Sequence, residues 1–319
     1  MDFLPFPKIS SASSPSSADS SKFIAQEKLH GAQLVVGINT KEIRFGKRKQ
    51  WLELNDLFFG WKLIQTQVRS IAQRLFLEFD LPQGSTLYIY GELIGGLYPH
   101  PKLELIKGYT AVQTGVWYAP DLHWAPFDAV VKSEVDSENL KFVDPLKLSE
   151  TVVKCGGLSP ALLGQGNRSE LTRLSNRFLT KVPTQLGLPE IDSNWAEGFV
   201  IKPLGELAPK HRFVSKHKIE EFDEKKFDES QAWSNDQILS FSELSKLVVR
   251  MINGSRIDSA RSKVGGDSRA AVLAEAALDI RLDLEEVFPT AMSALTMADE
   301  IELDKFILDQ LSAFLSLRI

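Results

Sequence analysis

Several charged residues of this chain stand where a surface side chain would not be expected. Lys28 lies in Glu27-Lys28-Leu29-His30-Gly31, between two runs that alternate apolar and polar residues as strands do. Gly31 allows a tight backbone turn, so Lys28 sits in a short connection and projects into a cleft. Taken alone, Lys-x-His-Gly reads as a solvated hairpin, because four-residue patterns recur freely. Glu92 has the apolar neighbours Tyr90, Leu93 and Ile94 and is followed by Gly95-Gly96. A carboxylate so placed needs a partner such as a ligand hydroxyl, a lysine or a metal. Arg212, Lys216 and Lys218 alternate onto one strand face, and three cations there want an anion. From Lys41 to Lys49, five basic side chains and one acidic one, Arg48 among them, surround Gly46 just before Trp51. Such a loop can hold phosphates, although by itself it reads as a solvated turn. Glu197 and Lys202 are five residues apart on one strand, hence on opposite faces unless a bulge at Gly198 shifts the register, and spacing alone does not decide it. Phe127, beside Asp128, is a core residue by default.

Elements must bring these residues together. Strand patterns cover 23–38, 85–99, 122–131, 194–203 and 212–219. Between the first two, Ile64, Val68, Ile71, Leu75 and Phe79 fall at helical intervals, ended by Pro82-Gln83-Gly84. Residues 136–188 carry short helical patterns and a loop, 156–167, without assignable chemistry. A charged connector, 220–228, leads to a capping box at Ser240 and Glu243 that opens a helix closed at Asn253-Gly254; further helical patterns fill 269–284 and 301–317. The expected organisation is a flexible Ser-rich tail over 1–22, a main domain over 23–234 and a small helical domain over 235–319, on a linker that lets it move over the site.

Composition bounds the partners. A net charge of -5 argues against coating nucleic acid by bulk charge, but not against a basic groove. With Cys155 alone there is no internal disulfide and no Cys-based zinc site, and the five histidines, His30, His100, His123, His211 and His217, show no paired metal-ligand spacing. No apolar run approaches the roughly 20 residues of a membrane helix. The early residues lack a secretory pattern, and the absence of Arg before Arg44, with Asp2 and Asp19 present, weighs against a transit peptide. The expectation is a soluble, cytoplasmic protein that makes no membrane contact.

Lys28 with His30-Gly31, Arg48, Glu92, Phe127-Asp128, Glu197-Gly-Phe-Val-Ile-Lys202 and Lys216-His-Lys218 follow one another in a fixed order. That order resembles the covalent nucleotidyltransferases, and within them the RNA ligase 2 family of phage T4 and the RNA-editing ligases. The marker is His30, where DNA ligases and capping enzymes generally carry aspartate. The likeness covers roughly 23–226 well and the helical tail more weakly, with local echoes at Met251 to Arg256 and Ser262 to Gly265. It implies an α+β fold: a nucleotidyltransferase (ATP-grasp-like) domain of antiparallel sheets flanked by helices, followed by a small all-α C-terminal domain.

The resemblance also implies a mechanism. Lys28 attacks the α-phosphorus of ATP to form lysyl-AMP, the AMP passes to an RNA 5′-phosphate, and a 3′-hydroxyl displaces it to seal the strand. A lysine is a nucleophile only when neutral, a form that nearby cations such as Lys216 and Lys218, or a divalent metal, favour. The same lysines stabilise charge as pyrophosphate leaves. By carry-over from the family, Phe127 stacks on adenine, Glu92 contacts the ribose hydroxyl, Glu197 lies at or near Mg2+ or Mn2+, and Arg48 holds nucleotide or RNA phosphate. His30 supports sealing, Glu27 and Lys202 join the nucleotide-binding set, and the resemblance alone places Glu197 and Lys202 in one site. The expected substrate is RNA with 5′-phosphate and 3′-OH ends, in a nicked duplex, handled by a monomer. The alternatives are a DNA or nick ligase of the same chemistry and a nucleic-acid-binding relative without catalysis.

Overall fold

The computed structural model describes residues 1–7, 22–133, 140–209, 212–222, 236–265 and 268–317. Its strands are β1 (Phe23–Glu27), β2 (Ala32–Ile38), β3 (Ile43–Lys47), β4 (Gln50–Trp51), β5 (Thr86–Gly95), β6 (Leu122–Lys132), β7 (Leu140–Phe142), β8 (Leu162–Gly166), β9 (Gly198–Pro203) and β10 (Ser215–Lys218). They build a six-stranded sheet in the order β4-β3-β2-β5-β6-β7 and a four-stranded sheet in the order β10-β9-β1-β8, with every neighbouring pair antiparallel. The helices are α1 (Gln65–Glu78), α2 (Pro145–Lys154), α3 (Arg168–Leu171), α4 (Val182–Gln185), α5 (Phe241–Met251), α6 (Gly254–Val264), α7 (Arg269–Val287), α8 (Pro289–Ser293) and α9 (Met297–Ser316). The fold is thus α+β, antiparallel sheets flanked by helices and followed by C-terminal helices, as the resemblance implied. No helix among the described residues is long and apolar enough to cross a membrane.

Alternation along β2 and β5 decides what each face of the larger sheet meets. Leu34, Val36, Leu87, Ile89 and Leu93 meet the stripe Val68, Ile71, Ala72 and Leu75 of α1. Val35, Tyr88 and Tyr90 turn the other way and join Val130 and Phe142, with Phe3, Leu4, Phe6 and Phe127 against them. The smaller sheet places Ala25, Phe199 and Ile201 under Leu171 of α3. Its opposite face therefore carries Gln26 and Lys202, and Lys202 donates to the Phe127 carbonyl of β6, tying the two sheets together.

The observed elements differ from the expected ones at their edges. β8 lies inside 156–167, where the sequence pattern predicts a loop, and Leu-Leu-Gly-Gln-Gly is a strand because the free edge of β1 pairs with it. Asn253-Gly254 is a break between two helices, since the Asn253 side chain accepts from the Arg256 N–H and caps α6. α9 starts at Met297, earlier than its apolar pattern, because Thr296 and Asp299 form a capping box. Of the segment expected to be a tail, residues 1–7 lie against the larger sheet, and 8–21 fall outside the described residues, as does the connector beyond Phe222.

The C-terminal helices share a core with the sheet part of the chain. Leu63, Ile106 and Tyr109 enter the cluster of Leu244, Leu247, Val248, Ile280 and Phe288. Each fully buried aliphatic or aromatic side chain contributes about 1.5–3 kcal/mol. Ion pairs line the same seam: Arg250 to Asp121 at 2.9 Å, Arg74 to Asp258 at 3.1 Å, and Lys246 to Glu104. Exposed pairs contribute roughly 1 kcal/mol or less each, so apolar burial dominates the seam.

Candidate active site

β1 ends at Glu27, and Lys28 follows with its N–H donated to the Gly198 carbonyl at 2.8 Å, which fixes the base of the side chain beside β9. Gly31 lets the next turn press onto β5: a Cβ there would meet the Leu93 carbonyl oxygen at 2.1 Å. The Lys28 Nζ so positioned lies 2.5 Å from Glu197 Oε2, and Lys218 Nζ is 2.8 Å from Glu197 Oε1. His30 Nδ1 is 3.6 Å from Glu197 Oε2. The His30 backbone N–H donates to the Tyr118 hydroxyl at 2.8 Å, and its ring meets Phe222 edge-on at 5.1 Å. Burial alone would raise the Glu197 carboxyl, but the neighbouring His30 ring and the charges and hydrogen bonds of Lys28 and Lys218 outweigh it and hold the group at about 2. Glu197 is therefore a carboxylate at every working pH.

A backbone irregularity brings Glu197 to that face. Gly198 has φ +138°, outside the range of ordinary strand residues, and a Cβ there would stand 2.0 Å from the His217 carbonyl oxygen. The chain kinks at Gly198, so that Glu197 reaches Lys28 while Lys202 still reaches Gln26 two residues before Lys28. Both side chains thus face the same side despite their odd spacing.

Glu92 accepts from the Gly31 N–H at 3.1 Å. Burial pushes its carboxyl up to about 7, with Lys28 pulling it down and Glu197 pushing it up. Arg48 is exposed in the turn between β3 and β4, and its charge lowers the Glu92 carboxyl slightly. Lys216 sits opposite Val200 and shares the alternation of Lys218.

Two expectations meet a different arrangement. Glu27 points away from the cluster, as the neighbour of Lys28 on an extended chain must; it accepts from the Thr180 hydroxyl and from the Lys181 N–H at 2.9 Å, anchoring that loop. Arg212 does not line up with Lys216 and Lys218, because β10 begins only at Ser215. Its guanidinium pairs with Asp128 at 2.6 Å and lies over the Phe142 ring at 4.0 Å.

Beside Gln26, two residues back along β1 from Lys28, the Lys202 ammonium lies over the Phe127 ring, 5.6 Å from its centroid. Burial lowers Lys202 to about 8, with Asp128 raising it and Arg212 lowering it further. Sequence reasoning missed Gln26, which accepts from Lys202, and Gln33, which pairs across the strands with Glu92 and whose Oε1 is buried with no partner among the described residues. Alternation from Lys28 was the signal available for Gln26, and strand register, which no single sequence gives, was needed for Gln33.

The Glu92 arrangement makes a pH prediction. Its folded value, about 7, lies above the ordinary 4.5, so between those values the native state holds a proton that the unfolded chain has lost. Stability contributed by this group is complete below pH 4.5 and is lost as pH rises through 7. Urea unfolding at pH 5, 6, 7 and 8 is expected to show wild type losing ground against Glu92→Gln as pH rises, with the change ending above pH 7; a constant difference would refute it.

A model of the RNA ligase family matches residues 21–218. No curated protein sequence matches the chain. Among solved structures, the chain is similar to a Naegleria gruberi RNA ligase mutant with ATP and Mn, at 15% identity and a TM-score of 0.41, over 63% of this chain and 51% of that one. It is similar to Naegleria gruberi RNA ligase with PPi, at 15% identity and a TM-score of 0.37, over 63% and 50%, and to another mutant of that ligase with AMP and Mn, at 15% identity and a TM-score of 0.41, over 64% and 51%. The chain spans about half the length of these proteins.

Proposed function

Because this chain belongs to the RNA ligase family, we propose that it is an ATP-dependent RNA ligase that joins 3′-OH and 5′-phosphate ends through lysyl-AMP and RNA-adenylate. The observation that carries this reading is the meeting of Lys28 and Lys218 on one buried carboxylate, Glu197, with Glu92 beside them.

Lys28 parts from Glu197, sheds its proton and attacks the α-phosphorus; a P–N bond forms and pyrophosphate leaves with the electrons of the broken P–O bond. Lys216 and Lys218 balance the charge of the departing phosphates. Glu92 accepts from a ribose hydroxyl, a task open to its ionised form. Phe127 stacks on the base at the Lys202 end, beside Gln26, which lies two residues, or about 7 Å, along β1 from Lys28. Arg48 holds a phosphate of nucleotide or RNA, and His30 serves the sealing steps. Glu27 supports the pocket indirectly through the loop at Thr180.

The residues also fit a divalent ion. Among the described residues no three His, Cys, Asp or Glu side chains gather into a cage, but Glu197 and Glu92, with the unpartnered Gln33 Oε1 on the strand opposite Glu92, offer the sparse oxygen set of a Mg2+ or Mn2+ site whose other ligands would be phosphates and water. When bound, that ion supplies charge neutralisation at the phosphates. We assign residues 23–234 to the catalytic domain and 235–319 to the helical domain of a monomer acting on nicked duplexes.

The test is incubation with α-labelled ATP and Mg2+ or Mn2+, followed by 5′-phosphorylated strands in gapless nicks. Label is expected on the protein, then on the RNA 5′-phosphate, then released as AMP with a sealed strand. Equal sealing of all-DNA nicks would remove the RNA preference, and no label with either metal would leave a binding protein.

A further inference from the structure

The first seven residues lie on the same face of the larger sheet as Glu92. Alternation along β5 puts Tyr88, Tyr90 and Glu92 on that face. The Tyr88 hydroxyl donates to the Asp2 carbonyl at 2.9 Å and the Tyr90 hydroxyl to the Leu4 carbonyl at 3.0 Å, while Arg44 and the Trp51 indole donate to the Met1 carbonyl at 3.2 and 3.3 Å. These bonds seat two phenylalanines differently. Phe3 meets the Trp51 ring edge-on at 5.0 Å, toward the β3–β4 end. Phe6 is enclosed by three rings: Tyr90 at 5.0 Å, Phe127 at 5.3 Å with the planes at 89°, and Phe142 at 6.4 Å.

Phe127 has reason to need such a brace. The β5–β6 pairing shifts register between Tyr90 and Gly91, beside Asp128 and Pro126, so ordinary strand alternation does not fix where Phe127 points. Its ring is half-buried. Of the groups around it, Lys202 lies over the ring while held by the Phe127 carbonyl and Gln26, and Phe6 meets the ring edge to face.

We propose that residues 1–7 are a strap that completes the base end of the nucleotide pocket, with Phe6 as the positioning residue that sets the Phe127 ring for stacking against a purine. This rests on the reading of Phe127 given under Proposed function. Phe6 touches no reacting atom; it acts through Phe127 on nucleotide affinity and leaves the chemistry at Lys28 alone.

The experiment compares Phe6→Ala, Phe6→Tyr and Phe3→Ala in the full chain. The amount of ATP that half-saturates protein labelling is expected to rise roughly three- to tenfold in Phe6→Ala, the span of one aromatic pair, with labelling at saturating ATP unchanged. Phe6→Tyr should restore wild-type affinity. Phe3→Ala removes a comparable ring from the same strap and should leave it unmoved. A second readout, the ATP-induced rise in unfolding temperature measured in a Lys28→Ala background, should follow the same order without any covalent step. Equal effects of Phe6→Ala and Phe3→Ala, or no change from Phe6→Ala, would overturn the proposal, as would a loss of maximal labelling at undiminished affinity. A wild type that takes no label while ATP still raises its unfolding temperature in a Phe6-dependent way would overturn the ligase reading and sustain the strap.

Discussion

Lys28→Ala is expected to take up no label from α-labelled ATP, a loss of roughly 10³-fold or more, because no other amine stands in its place on the nucleotide. The substitution also removes one of the two lysines on a carboxylate that is 2% exposed, so some stability should go with it, about 1–3 kcal/mol. Lys28→Arg separates the two effects. A guanidinium can still pair with Glu197, yet it stays protonated and cannot attack phosphorus. That variant should unfold at nearly the wild-type urea concentration and remain unlabelled. Label on either variant, stable to denaturing gel electrophoresis, would remove Lys28 from the reaction.

The second large effect is expected from Gly198→Ala. At φ +138° the alanine backbone is strained, and its Cβ would stand 2.0 Å from the His217 carbonyl oxygen. The obstacle is backbone, so no side-chain rotation relieves it; β9 and β10 must separate or Glu197 must swing away. A loss of about 2–3 kcal/mol in urea unfolding is expected. Lysyl-AMP formation should fall much further than stability does, since both escapes pull Glu197 from Lys28 or Lys218 from Glu197. An alanine variant with wild-type stability and full labelling would mean that the kink does not set the site.

These residues also show how far the sequence could be read. The order from Lys28 to Lys218 was visible because each charged residue sits beside glycines or inside an apolar strand pattern, where a surface explanation is strained. The α1 and α5 stripes were visible because their periodicity is regular. The geometry at Glu197 was not, since it depends on one backbone angle at Gly198 that several other conformations would also satisfy. Arg212 was misplaced because alternation was extended across residues that precede β10. β8 was missed because its stability comes from its neighbour β1 and little from its own Leu-Leu-Gly-Gln-Gly. The first seven residues read as tail because their anchors, Tyr88, Tyr90 and Trp51, lie far along the chain.

The Glu197 carboxylate, gripped by Lys28 at 2.5 Å and Lys218 at 2.8 Å, works as a clasp between the turn after β1 and the edge strand β10. It holds two ammonium groups on its two oxygens, so both cations are fixed at one place in the fold. Unlike a phosphate group, that carboxylate is tethered to β9 and cannot depart, so either lysine is freed only by breaking its own ion pair.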